Sequence, residues 1–248
     1  MALAKKEWFS EWFNSPYYHI LYKHRDFEEA ENFIDNLQET LKFVEGQTAL
    51  DLGCGRGRHA FYMHKKGLNV TGIDLSEENI AFASKSEDET LHFFVHDMRN
   101  VFAENHFDYI FNLFTSFGYF DEENDNIQAI KAASTALRPK GRMVLDFFNT
   151  EKVIRNLQQK NEAIIDGIQF NISRMVYEGW IIKDIKIKDG SSELHFQERV
   201  KGVKREEFEN YFKFAGLKIL NLYGNYELQP FESESDRMIF ILEKENYN

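Results

Sequence analysis

The stretch Thr48-Ala49-Leu50-Asp51-Leu52-Gly53-Cys54-Gly55-Arg56-Gly57-Arg58-His59 decides the fold. It has four consecutive parts: an apolar strand end, an acid, a glycine-dense turn and the start of a helix. Glycines let the backbone turn tightly and approach a ligand closely, and the N–H groups that open the next helix point at that ligand. The run therefore predicts a nucleotide-like cofactor at the carboxyl edge of a parallel sheet.

The glycine spacing narrows the class of ligand. A P-loop is excluded, because the lysine that this motif requires does not follow these glycines. A dinucleotide fingerprint requires a third glycine at the position that Arg58 occupies. Asp51, two residues before Gly53, would repel a pyrophosphate but suits a ligand that carries an ammonium group. Taken alone, the run also fits a tight strand–helix turn without any ligand.

Two more acids follow predicted strands further along the chain. Asp74 ends the predicted strand 69–74, about 20 residues after the first glycine, where a carboxylate can accept both ribose hydroxyls. Asp97 follows the predicted strand 91–95, and its structural alternative is the capping of a turn. The three positions together favour a ligand that contains adenosine.

In this order, the motifs resemble those of class I S-adenosylmethionine (SAM) methyltransferases, whose first motif reads D-x-G-x-G-x-G. In that family the third acid binds the adenine amino group and the next residue packs on the ring, which implies these roles for Asp97 and Met98. The segment F-D-Y-I-F-N-L-F-T-S-F-G-Y-F at 107–120 resembles the small-molecule branch: sugar N,N-dimethyltransferases and, more distantly, glycine N-methyltransferases. It lacks the [DN]-P-P-[YF] motif of enzymes that act on planar bases and amides. The resemblance covers residues 17–149 well.

The resemblance implies contacts with SAM, or with its product S-adenosylhomocysteine, from five groups of residues. These are Tyr18 and Arg25 near the N-terminus; Asp51, Gly53, Cys54, Gly55, Gly57, Arg58 and His59; Asp74 and Leu75; Asp97 and Met98; and Asn112, Leu113 and Phe114. Arg25 is placed to pair with the carboxylate of the methionine part. Cys54 is expected to be a small filler beside the ligand. No metal is expected, since the histidines do not cluster at ligand spacing.

Methyl transfer is an in-line displacement, so the protein chiefly holds the nucleophile close to the methyl group. Where the acceptor is an amine or a hydroxyl, one side chain can remove its proton. The candidates are His19, Tyr22, Tyr119 and Asp146. A histidine is more often a structural hydrogen-bonding group, and Asp146 fits loop capping as well as acceptor contact.

Composition excludes several classes of function. A formal net charge of −11 without a lysine–arginine cluster argues against nucleic acid as a partner. No apolar run reaches the length of a membrane span, and no signal-peptide core follows Met1. The single cysteine, Cys54, fits a reducing cytoplasm. The expected partner is a small-molecule acceptor, with no membrane.

Four stretches are predicted. Residues 1–46 form a helical extension whose aromatic residues cover the pocket as a lid, although Trp8, Phe9 and Trp12 suit packing on a sheet edge equally well. Residues 47–149 form the SAM-binding core, and residues 150–203 form an antiparallel β insertion that shapes the acceptor site or a dimer interface. Residues 204–248 complete the sheet with a helix and a hairpin. The fold class is α/β and Rossmann-like, with a seven-stranded, mostly parallel sheet whose last strand is antiparallel. The exposed strand edges of the insertion are compatible with a homodimer.

Apolar periodicity and turn residues predict the individual elements. Helices are expected near 27–44 with Asp26 as N-cap, 57–66, 76–85, 122–137 and 204–215; strands near 47–51, 69–74, 91–95, 107–112, 142–147, 181–188, 217–223 and 237–243; and turns at 138–142 and 189–191.

Three hypotheses of function follow. The first is a SAM-dependent methyltransferase that acts on N or O of a small molecule. The second is an NAD-type oxidoreductase, which Arg58 and Asp51 disfavour. The third is a protein that binds SAM without catalysis and serves as a scaffold, and turnover of a methyl group separates it from the first.

Overall fold

The computed structural model describes residues 8–23 and 27–245. Its strands are β1 (Thr48–Leu52), β2 (Asn69–Asp74), β3 (Leu91–Val95), β4 (Phe107–Asn112), β5 (Leu137–Phe148), β6 (Lys160–Ile165), β7 (Ile168–Tyr177), β8 (Trp180–Asp189), β9 (Ser192–Lys201), β10 (Leu217–Tyr223) and β11 (Arg237–Lys244). Its helices are α1 (Trp8–Phe13), α2 (Pro16–Leu21), α3 (Phe27–Leu41), α4 (Arg58–Lys65), α5 (Glu77–Ala83), α6 (Glu123–Ala136), α7 (Thr150–Arg155) and α8 (Arg205–Phe214).

Seven strands form the central sheet in the order β10-β11-β5-β4-β1-β2-β3. The neighbouring pairs β3–β2, β2–β1, β1–β4 and β4–β5 are parallel. Strand β11 runs antiparallel to both of its neighbours, β5 and β10. The predicted fold class is therefore confirmed. The strand order reverses between β1 and β4, and ligands of open α/β sheets bind outside the carboxyl ends of the strands at such a switch point.

The N-terminal helix α3 is amphipathic as predicted but ends earlier. Ile34, Leu37 and Leu41 are buried, because they lie on one face of the helix at helical spacing. Lys42 adopts a left-handed conformation (φ 58°), which stops the helix. Val44, the last predicted position of the apolar stripe, is 61% exposed. The predicted N-cap Asp26 lies outside the described residues.

The predicted turn at 138–142 lies inside a strand. Strand β5 begins at Leu137 and runs through the segment. Lys140 adopts φ 62° and the register with β4 shifts there, so the segment bulges and then pairs again. The prediction of a local break was sound, but the expectation that the strand starts only at Arg142 was wrong.

The antiparallel insertion is a second sheet in the order β6-β7-β8-β9. Helix α7, which sequence patterns did not predict, precedes it and is capped by Asn149. One face of this sheet buries Phe170 and Ile185 together with Trp12 from α1. The side chain of Trp12 therefore packs on the insertion. For Trp8 and Phe9 the structure describes the backbone only. No helix in the described ranges is long and apolar enough to cross a membrane.

Candidate active site

A cavity of about 420 Å³ lies at the carboxyl ends of β1, β2 and β4. The segment that contains α1 and α2, residues 8–23, covers it and is called the lid below. The predicted residues that line the cavity are Tyr18, His19, Tyr22, Gly53, Cys54, Gly55, Arg58, His59, Asp74, Leu75, Met98, Leu113, Phe114 and Tyr119. Asp51, Gly57, Asp97, Asn112 and Asp146 do not line it, and Arg25 lies outside the described residues.

The glycine turn forms the floor of the cavity. The amides of Gly53 and Cys54 both donate to the carbonyl of Ile73, at 2.8 and 3.0 Å, which ties the turn to β2. Gly55 has φ 55°, and apart from its two chain neighbours no atom of the described residues lies within 4 Å of the place where a Cβ would stand. The backbone of Gly55 is therefore open to a ligand in the cavity.

The carboxylate of Asp74 holds this turn against the start of α5. Its Oδ2 accepts from the amide of Gly55 at 2.9 Å, and its Oδ1 accepts from the amide of Ser76 at 2.8 Å. Burial raises the pKa of Asp74 although both amides act against that rise. A carboxylate has about four lone-pair sites, so Asp74 can still accept from hydroxyl groups of a ligand.

Two side chains beside the turn each bury one polar atom that has no hydrogen-bond partner among the described residues, the Oδ2 of Asp51 and the Nε2 of His59. The carboxylate of Asp51 also accepts from the backbone amide of Ala60. Burial, and next the charge of Asp74, raise the pKa of Asp51 to about 7, while burial lowers the pKa of His59 well below its ordinary value. Unsatisfied buried polar atoms are uncommon, so each of these two requires an explanation.

We expect Asp51→Asn to stabilise the protein more at pH 8 than at pH 5. Folding raises the pKa of Asp51 from 3.8 to about 7, so the folded state keeps a proton that the unfolded chain releases. Stability is therefore lost as the pH rises through this interval. Asparagine removes the penalty, and the gain at pH 8 should exceed the gain at pH 5 by about 2 kcal/mol. Urea unfolding at both pH values measures it.

Asp108→Asn is the matched control, because Asp108 lies on the neighbouring strand β4 and its pKa shifts the other way. Burial acts to raise the pKa of Asp108, but the Thr48 amide and Arg138 lower it below its ordinary value. A lowered pKa contributes stability above the unfolded pKa that is lost in acid. Asp108→Asn should therefore destabilise the protein at pH 8. Parallel pH profiles of the two variants would refute the assignment for Asp51.

The third predicted acid, Asp97, accepts hydrogen bonds from Arg99, two residues further on. Both carboxylate oxygens of Asp97 accept from the Nε of Arg99, at 3.1 and 2.9 Å. Burial acts to raise the pKa of Asp97, but Arg99 lowers it below its ordinary value. Met98 and His96 line the cavity instead. The contact of Asp97 with adenine stays a prediction, and it requires Arg99 to share this carboxylate.

The loop after β4 forms the wall opposite α5. The Nδ2 of Asn112 donates to the carbonyl of Leu52 at 3.0 Å, which ties this loop to β1. The ring of Phe114 lines the cavity, and the guanidinium of Arg58 lies 4.0 Å from its centroid. Asp146 contacts this loop from beneath and is fully buried.

One carboxylate of the insertion sheet, that of Glu198, accepts hydrogen bonds from two residues of the lid. The Oε2 of Glu198 accepts from the Nε1 of Trp12 at 3.1 Å and from the hydroxyl of Tyr22 at 2.8 Å. Lys183 donates to the same hydroxyl and lies 3.7 Å from Glu198. Residues from both ends of the lid thus meet at one largely buried carboxylate, in addition to the exposed contact of Tyr17 with Asp189.

We expect Glu198→Gln to loosen the lid. The amide keeps the size of the side chain but replaces charge-assisted hydrogen bonds by weaker neutral ones, at a cost of about 1 kcal/mol. Amide hydrogen exchange across α2 should therefore accelerate about fivefold. Asp189→Asn is the control, since Asp189 also accepts from a lid hydroxyl, that of Tyr17 at 3.0 Å, but at an exposed position. Equal acceleration in both variants would contradict the anchoring role of Glu198.

Several cavity residues were not among the predicted site residues. They are Phe13, Lys23, Arg56, Ile73, Asn79, Phe82, His96, Ser116 and Phe120. Asn79 and Phe82 belong to α5, which starts directly after Asp74. Residues three apart share a face of a helix, so this pair could have been predicted from the helix that follows β2.

Comparison with known proteins bears on the class of this site. Residues 49–141 match a family model described as a methyltransferase domain. The putative methyltransferase YqeM of Bacillus subtilis is 26% identical over 214 residues, which cover 79% of this chain and 83% of that protein.

Two solved structures share the fold. A SAM-dependent methyltransferase from Clostridium acetobutylicum superposes with a TM-score of 0.79 at 22% identity, covering 93% of this chain and 96% of that one. CalS10, an amino pentose methyltransferase from Micromonospora echinaspora solved with SAM bound, superposes with a TM-score of 0.70 at 20% identity, covering 93% and 97%.

The strand order, the glycine turn and the cavity at the switch point define a class I methyltransferase fold with a site for an adenosine cofactor. The methyltransferase domain matched at residues 49–141, with the similarity to YqeM and to the Clostridium acetobutylicum enzyme over most of the chain, supports a SAM-dependent methyltransferase. The resemblance stated from the motifs is confirmed at this level, and the NAD-type oxidoreductase is set aside.

Proposed function

We propose that this methyltransferase acts on N or O of a small-molecule acceptor bound under the lid. The observation that carries the proposal is the carboxylate of Asp74, which clasps two amides at the wall of a cavity covered by aromatic rings. The lid borders the cavity and is held against Glu198 by Trp12 and Tyr22, which favours an acceptor small enough to fit beside it. The absence of a basic cluster in the sequence disfavours nucleic acid.

The residues present fit SAM. Asp74 has acceptor capacity left for ribose hydroxyls, the open backbone of Gly55 admits a ligand, and the unpartnered oxygen of Asp51 suits the side of an ammonium group. Met98 and Phe82 would border the adenine, and Phe114 and Tyr18 the methionine part. When bound, SAM supplies a methyl group activated on a sulfonium centre. Aromatic faces of the lid favour such a cation.

An amine is the acceptor that we favour. CalS10, which shares the fold, is an amino pentose methyltransferase. The acceptor side of the cavity is walled by Phe13, Tyr18 and Tyr119, whose rings meet edge to face at 5.1 and 5.3 Å from Phe13. An apolar, enclosed wall of this kind excludes water and favours the neutral amine, which is the nucleophilic form.

His19 is the proposed proton acceptor. Its Nε2 is buried and has no hydrogen-bond partner, and its side chain lines the cavity. Burial, and next the charge of Arg56, lower the pKa of His19 to about 4, so the ring is neutral at pH 7. The hydroxyl of Tyr22 already donates to Glu198, and that of Tyr119 donates to the carbonyl of Thr115 at 2.6 Å.

Calorimetric titration with SAM, S-adenosylhomocysteine and NAD in parallel tests the cofactor site. The expected result is one saturable site for the first two ligands and no binding of NAD. Incubation with SAM and two sets of acceptors, primary amines and their hydroxyl analogues, then tests the acceptor. Release of S-adenosylhomocysteine with amines supports the proposal. Tight binding of SAM with no turnover in either set would favour a scaffold.

We also propose a cytoplasmic location for the enzyme. Cys54 is a free, buried thiol within the cofactor turn, and free thiols persist in a reducing compartment. Burial, and next the charge of Asp51, raise the pKa of Cys54, which keeps its thiol protonated and unreactive.

A further inference from the structure

The loop that follows β4 is held in a conformation that its residues do not favour. Phe114 and Thr115 are consecutive non-glycine residues with φ 56° and 62°. Left-handed backbone is unfavourable for such residues, and it persists only where surrounding structure enforces it. Leu113, Phe114 and Ser116 of this loop line the cavity.

Asp146 on β5 satisfies the amides of this loop. Its Oδ2 accepts from the amide of Phe114 at 2.8 Å, and its own carbonyl accepts from the amide of Thr115 at 3.1 Å. Asp146 has no exposed surface. A buried carboxylate needs both charge compensation and hydrogen bonds, and the loop supplies only the latter.

Arg237 on β11 supplies the opposite charge. Its Nε donates to the Oδ1 of Asp146 at 2.7 Å, and its NH2 donates to the hydroxyl of Thr115 at 3.0 Å. Burial acts to lower the pKa of Arg237, but Asp146 raises it above its ordinary value, so the guanidinium stays charged. The pair therefore bridges two strands of the sheet and the loop above them.

The ring of Phe114 is packed by a cation and by a second ring. The guanidinium of Arg58 lies over it, and Tyr226 stacks on it with centroids 5.1 Å apart and planes 18° apart. Arg237 in turn lies 5.4 Å from the ring centroid of Tyr226. Tyr226 therefore connects Arg237 of the ion pair to Phe114 in the wall of the cavity.

We propose that Asp146 and Arg237 are positioning residues, which hold residues 113–116 in the strained conformation that shapes the wall between the cofactor turn and the acceptor space. Asp146 then acts through the loop and does not itself take a proton from the acceptor. The loop reaches the cofactor turn directly, since the hydroxyl of Ser116 donates to the carbonyl of Gly53 at 3.3 Å. The consequence for ligand binding rests on the proposed function.

The double variant Asp146→Leu with Arg237→Met tests this role. Replacing a buried ion pair by apolar side chains of similar size is often neutral for stability. The variant should therefore unfold at a urea concentration close to that of the wild-type protein. The amide of Phe114 loses its acceptor, the carboxylate of Asp146, and Thr115 loses the hydrogen bond that Arg237 donates to its hydroxyl, so hydrogen exchange at both amides should accelerate at least about tenfold. Affinity for S-adenosylhomocysteine should fall about tenfold in calorimetry.

Two further variants make the result specific. Glu243→Gln is the matched control, because Glu243 pairs with Arg142 at 3.7 Å across the same two strands at their other end; it should change neither readout. Thr115→Gly added to the double variant should restore most of the protection and affinity, since glycine adopts the left-handed conformation at no cost.

Unchanged exchange at Phe114 and Thr115 in the double variant would overturn the proposal, as would a Thr115→Gly addition that restores neither readout. These exchange measurements need no ligand. If the wild-type protein failed to bind S-adenosylhomocysteine, the proposed function would fall while the exchange result still decided the role of the ion pair.

Discussion

Asp74→Ala is expected to weaken the binding of S-adenosylhomocysteine about 100-fold. The substitution removes the proposed acceptor for ribose hydroxyls and leaves the amides of Gly55 and Ser76 without their partner. Charge-assisted hydrogen bonds contribute roughly 1.5–3 kcal/mol each, and about 3 kcal/mol corresponds to a factor near 100. Calorimetric titration of the wild-type protein and the variant measures the ratio directly.

Asp88→Ala is the matched control for this prediction. The Oδ1 of Asp88 accepts from the amide of Thr90 at 2.8 Å, which is the same local bond that Asp74 makes with Ser76 two residues on. Asp88 does not line the cavity, so its loss should leave affinity unchanged. Equal affinities of wild type and Asp74→Ala would remove the main support for an adenosine site at the end of β2.

Gly53→Ala is expected to destabilise the protein by about 2–5 kcal/mol and to abolish cofactor binding. The position has φ 74°, and a Cβ there would stand 2.7 Å from the Cβ of Ser116. Left-handed backbone costs a residue with a Cβ roughly 1–2 kcal/mol, and overpacking adds roughly 1–3 kcal/mol. Urea unfolding measures the loss of free energy.

The backbone cost and the overpacking cost of Gly53→Ala can be measured separately. Gly46 has φ 83° and nothing within 4 Å of its Cβ position, so Gly46→Ala should cost only the backbone part, about 1–2 kcal/mol. Adding Ser116→Gly to Gly53→Ala removes the clash and should recover only the overpacking part. A Gly53→Ala variant that unfolds like Gly46→Ala would show that the loop after β4 is free to move away from the turn.

The cofactor half of the site was predictable because its signals are local. The glycine turn joins β1 directly to α4, and the bond between Asp74 and Ser76 spans two residues. Such contacts depend on backbone preferences and side chains that are neighbours along the chain. Parallel strands then bring their carboxyl ends to one edge, which places Asp74 beside the turn.

The supports of the acceptor side were not predictable in this way. Asp146 fitted both acceptor contact and loop capping, and the structure shows it in an ion pair with Arg237, 91 residues away. Trp12 fitted both a lid and a sheet edge, and its indole donates to Glu198, 186 residues away. No periodicity or motif connects residues at these separations.

The sequence by itself determined the α/β class, the glycine turn and the acid at the end of β2, because strands, turns and helix starts follow from short-range backbone preferences and apolar patterning. Only the tertiary structure decided how the lid is anchored and which residues hold the strained wall at Phe114 and Thr115. A buried carboxylate must be paired within the folded interior, and the partner is set by which distant strands become neighbours. In this protein that neighbour is β11, the antiparallel strand that closes the sheet beside β5.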